Sequence, residues 1–169
     1  MSRRAGISRA VLCLAFATMF GGCKPPAPED APAAVLGGLP GCYALYTGNG
    51  RPVDGSFYNA SPLVRLDTAL LRWGDGFRLM TRLDTQGRPM DGDSSRALVP
   101  PAWQYSARTN TLELSFVDGF SGATLSLFAP PGLRDTLRGM IYDNWDFGPT
   151  THLRGGAYAV RVPCRDTTG

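Results

Sequence analysis

The chain has 169 residues, of which 43% are hydrophobic and 18% charged, a globular composition sufficient for one domain of ordinary size. Its formal charge of +3 rests on Arg3, Arg4 and Arg9; without them the 17 Lys and Arg fall to 14, level with the 14 Asp and Glu. With the remainder neutral, net charge gives no reason to expect nucleic acid or anionic lipid as a partner.

The first element in chain order is an export signal. Three arginines without an acid before Glu29 precede an apolar run from Ala10 to Phe20, which ends in Gly21-Gly22-Cys23. A basic start, a short apolar stretch and small exit residues are the parts of a secretory signal. The run has no polar face at helical spacing, and it is well short of the roughly 20 residues that span a bilayer. Phe20-Gly21-Gly22-Cys23 resembles the lipobox of bacterial lipoproteins, with Phe20 where Leu is usual. The resemblance implies that Cys23 is diacylated and becomes the mature first residue, and two acyl chains give stable anchoring. Cleavage after Ala15-Phe16-Ala17 is the alternative, and it would release a free exported protein. Residues 1–22 are thus read as signal and 23–40, rich in Pro and Ala, as an extended tether. Residues 41–165 form the domain and 166–169 a short tail. Lys24 follows Cys23, so the Asp associated with inner-membrane retention is absent; this leans toward an outer-membrane anchor on the periplasmic or surface face.

Cys42 and Cys164 flank the patterned region. In an exported chain such a pair reads as a disulfide. Between them Gly, Pro, Asn and Asp punctuate the chain, and the intervening segments alternate: Phe77, Leu79, Thr81 and Leu83 against Arg78, Met80 and Arg82, or Leu112, Leu114 and Phe116 against Thr111, Glu113 and Ser115. Period two is the mark of half-buried strands. Eight are expected, at about 42–47, 63–70, 77–83, 102–107, 111–117, 123–129, 136–142 and 153–162, in a single small antiparallel all-β domain. The first, third and seventh gaps are long, and the second, fourth and sixth short. That pattern favours an up-and-down barrel, dressed with large loops at one end, over a β-sandwich. The gap at Asp118–Gly122 alone departs from it.

This architecture resembles the lipocalins and related calycin barrels. Gly41-Cys42-Tyr43 keeps the glycine and an aromatic where lipocalins open the first strand with Gly-x-Trp, and Arg161 stands where the family has an arginine packed on that Trp. The resemblance implies an eight-stranded barrel with a long first loop and a closing disulfide. The strands are short and lack a wide outward apolar band, which excludes a transmembrane barrel.

Chemistry is sparse. His152 is the sole histidine, Gly-x-Ser-x-Gly is absent, and the acid pairs Asp91/Asp93 and Asp143/Asp146 fall in expected turns. Neither pair has the ligand spacing of a Ca²⁺ loop, and nothing calls for a metal or other cofactor. No enzyme is therefore expected, and no nucleic-acid interface. Aromatics are the remaining constellation: Phe57 and Tyr58 in the first long loop, Trp145 and Phe147 near the seventh, with Trp103 and Tyr105 pointing inward beneath them. They suit either the mouth of a cavity for a hydrophobic small molecule or lipid, or a filled core in an envelope interaction module.

Overall fold

The computed structural model describes residues 36, 38–54, 60–71, 76–90, 100–118, 121–132, 135–145 and 152–165. The signal, Cys23, most of the tether, Phe57, Tyr58, Phe147, Asp91, Asp93 and Asp146 lie outside the described residues, as do the side chains of Asp118 and Trp145. Eight strands run β1 (Gly41–Thr47), β2 (Leu63–Leu70), β3 (Arg78–Leu83), β4 (Ala102–Ser106), β5 (Thr111–Asp118), β6 (Ser121–Phe128), β7 (Thr136–Trp145) and β8 (His152–Val162). Each pairs antiparallel with the next, and β8 returns to β1 from Cys42 opposite Val162 to Thr47 opposite Ala157, closing an up-and-down barrel. Closure leaves no edge strand for another chain to extend. The β3–β4 seam is the shortest, made by Arg78 opposite Trp103 and Leu79 opposite Ala102 and prolonged by a bond from Met80 N–H to Pro101 O.

The fifth connection is tighter than the sequence suggests. Asp118 lies opposite Ser121, so two residues join β5 to β6, and Gly122 belongs to the strand. A side chain there would meet the backbone of Phe116 and Val117, with a Cβ 2.5 Å from Val117 Cα. Gly122 therefore serves close backbone approach and not a turn.

The interior is divided by size. One inward row runs Trp103, Leu114, Leu125, Ile141, Gly155; the next runs Tyr105, Leu112, Leu127, Gly139, Ala157. Large aromatics from β4 thus share inward rows with small residues on β7 and β8, the second continued by Ala159; Trp103 is fully buried in the core, while Gly155 has open space beside it. A Cβ on Gly139 would stand 1.9 Å from Ser126 O, so that position admits only glycine without moving the backbone. Small-against-large packing is how a narrow barrel fills its taper.

The end carrying the short connections is closed. Leu39 is fully buried in the core, Leu36 packs against it, and Tyr43 donates its hydroxyl hydrogen to Leu39 O at 3.0 Å. Two arginines complete the closure. Arg161 lies over the Tyr43 ring and donates to Gly38 O and Pro40 O, while Arg78 lies over the Trp103 ring and donates to Thr68 O. The domain body therefore starts before Gly41, inside the stretch the composition assigned to the tether. Two leucines among Gly and Pro show no periodicity, so only packing reveals them.

Cys42 and Cys164 form a disulfide with Cα atoms 5.2 Å apart. It pins the chain after β8 across the outer wall, where Arg165 reaches Gln86 O in the β3–β4 connection. The outward Leu83 is buried for that reason. Beneath the strap lies an outer cleft of about 330 Å³, lined by Cys42, Leu63, Leu83, Val162, Pro163 and Arg165.

Candidate functional site

Three regions can carry function: the barrel centre, the loop-rich mouth and the outer wall.

At the centre Trp103 is 0% exposed, and its indole N–H donates to Asp67 O at 2.9 Å. Leu112, Leu114, Leu125 and Leu127 around it also have no accessible surface, so none of them borders a void wide enough for water. Tyr105 points inward too, but toward the closed end, where its hydroxyl meets Asn110 Oδ1 and Ala129 O, both at 3.1 Å. The structure thus separates Tyr105 from the mouth, where the sequence grouped it with the loop aromatics. Trp145 ends β7 at the mouth.

The mouth is polar. β8 carries one residue more than β7 between Gly155 opposite Ile141 and Leu153 opposite Tyr142, and the extra residue is Arg154. This bulge, next to Gly155 at φ 146°, turns the guanidinium onto the Asp143 carboxylate. Bulges re-aim side chains in this way at barrel rims. Asp143 is 5% exposed, one of two buried polar residues among those described, and its ion pair accounts for its position inside the barrel. A cleft of about 350 Å³ opens beside it, lined by Thr47, Gly48, Asn49, Ile141, Arg154, Gly155 and Gly156. His152 is exposed and pairs in register with Asp143. Nothing in the residue pattern marks the bulge, because Leu153-Arg154-Gly155-Gly156 reads as ordinary strand and turn residues.

The outer wall has two characters. Across β2 and β3 it is charged and paired: Arg65 Nε meets Asp67 Oδ1 at 2.8 Å, and Thr81 donates to Asp67 Oδ2. Across β1, β8, β7 and β6 one outward row reads Tyr46, Tyr158, Arg138, Phe128. Tyr46 and Tyr158 stack with centroids 5.0 Å apart, and the Arg138 guanidinium lies over Tyr158. Stacked aromatics beside an arginine are the side chains that carry protein–protein contacts. Among the described residues no three His, Cys, Asp or Glu gather as a metal site, and no helix is long and apolar enough to cross a membrane.

Burial, only partly offset by the Arg161 charge, holds the Tyr43 phenol above its ordinary value of 10.0. Burial raises Tyr105 in the same direction. The folded barrel therefore keeps phenolic protons that the unfolded chain releases. Their contribution is complete below pH 10 and is lost as pH rises through the folded values. The urea midpoint should hold steady up to about pH 10 and fall above it. In Tyr43→Phe the fall should be smaller; an unchanged fall would place the buried titration elsewhere.

Neither a protein-family model, nor a curated protein, nor a solved structure matches this chain.

Proposed function

We propose that this chain is a cell-envelope lipoprotein, held to a membrane by diacylated Cys23, whose barrel serves as an interaction module for an envelope protein. The observation that carries the reading is the complete burial of Trp103 and of Leu112, Leu114, Leu125 and Leu127, which favours a structural centre with function at the surface. The stacked Tyr46–Tyr158 pair with Arg138 supplies the contact wall. The Arg161 guanidinium over Tyr43, with its bonds to the preceding backbone, supports the likeness to lipocalins at the closed end. The calycin likeness then concerns scaffold, and the activity is binding without catalysis or cofactor.

A second reading keeps a hydrophobic small molecule or lipid at the mouth. The cleft of about 350 Å³ there favours it, within the size range of small-molecule sites.

Photocrosslinking in the intact envelope separates the two. A crosslinker replacing Tyr158 should capture one discrete protein, while the same group at Gln104 on the opposite wall should not. Equal adducts from both positions, or none from Tyr158, would remove the interaction module.

A further inference from the structure

The closed end carries side chains that nothing so far accounts for. Leu70 ends β2 there at 62% exposure, and Phe128 ends β6 there at 57%. They are two of the four large apolar residues most exposed among those described. Both stand where their strands leave the barrel, so burial of neighbours cannot explain them. Around them the described charges are mostly of one sign. Arg78 and Arg161 cap the opening, exposed Arg108 lies in the β4–β5 turn, and exposed Arg138 stands opposite Phe128 in register. Asp135 is the one carboxylate in the described connections of that end. The overall charge balance of the mature chain hides this local excess.

The same end receives the tether. The chain enters the barrel through Gly38–Pro40, and Leu36 lies 13 positions after Cys23. At about 3.3–3.6 Å per residue for a fully extended chain, the anchor cannot be more than about 45 Å from this face. Such confinement gives an effective concentration at which weak apolar contacts become occupied.

We propose that the closed end is a membrane-docking face: Leu70 and Phe128 insert at the headgroup boundary of the bilayer that holds the anchor, and Arg78, Arg108 and Arg161 meet its anionic phospholipid headgroups. Apolar side chains ringed by arginine are the arrangement of interfacial binding. The mouth and its long loops then point away from the membrane, toward soluble or opposing partners. This inference rests on the Cys23 anchor of the proposed function.

The test uses the full chain, processed in its own envelope, extracted and placed in nanodiscs of phosphatidylethanolamine and phosphatidylglycerol. Nitroxide-labelled lipid should broaden the amide signals of Leu70 and Phe128 and leave those of Asn49 and Arg154 sharp. Leu70→Asp with Phe128→Asp, both at exposed positions, should abolish the broadening while the protein stays in the disc. Replacing phosphatidylglycerol with phosphatidylcholine should weaken it. Equal broadening at both ends, broadening only at the mouth, or broadening unchanged by the two substitutions overturns the docking face. The mass of the extracted chain reads the anchor separately. An unacylated Cys23 ends the tether and this inference together, whereas an acylated chain without contact at Leu70 and Phe128 ends this inference alone.

Discussion

Trp103→Ala is expected to destabilise the barrel by about 3–5 kcal/mol, the range for emptying a buried aromatic site. The indole is fully buried, lies in the inward row with Leu114, Leu125 and Ile141, and satisfies Asp67 O. The loss is a large part of the 5–15 kcal/mol that holds most domains folded, and thermal unfolding should move down by on the order of 15 °C. Trp103→Phe keeps most of the volume but leaves the Asp67 carbonyl without its donor, so it should fall between parent and alanine. Circular dichroism melts of the three proteins check this order. An alanine variant that melts with the parent would mean that the ring does not fill the centre, and the second reading of the barrel would gain.

The disulfide carries the other large effect. Cys42 and Cys164 are 122 positions apart, and closing a loop of that length limits the unfolded chain by about 5 kcal/mol in the chain-entropy account. Replacing both cysteines by alanine should therefore lower the urea midpoint by several tenths of its value for a domain of ordinary stability. Part of the loss should come from the native side, because the bridge holds Pro163 and Arg165 over Leu83. Reductant should reproduce the effect in the unsubstituted protein, and Cys164, at the exposed side, is the sulfur it reaches. Unchanged midpoints after reduction would show that the strap neither constrains the unfolded chain nor shields the wall.

Strand positions were legible because alternation is a local property: β2 matches the sequence reading residue for residue, and most other strands differ by one or two positions at their ends. The barrel was legible from loop lengths, since odd connections collect at one end of an up-and-down path. Three features were not. Gly122 looked like a turn residue because glycine marks turns and close approaches alike, and the approach depends on a partner strand. The small residues Gly139, Ala157 and Ala159 carry no hydrophobic signal, so their place in the inward rows appears only from the register of β7 and β8. The Arg154 bulge is a matter of register between two strands, which no single strand encodes. Of the aromatic set, Trp103 and Tyr105 were correctly turned inward, but their distance from the mouth depends on strand tilt.

The most direct test of a filled, lipid-tethered barrel is the mass of the chain extracted from its membrane, taken under native and then denaturing conditions. The expected species is a chain beginning at acylated Cys23, with Cys42 and Cys164 oxidised and the same mass in both spectra. A free thiol at Cys23, or a stoichiometric small molecule present in the native spectrum and lost on denaturation, would contradict it.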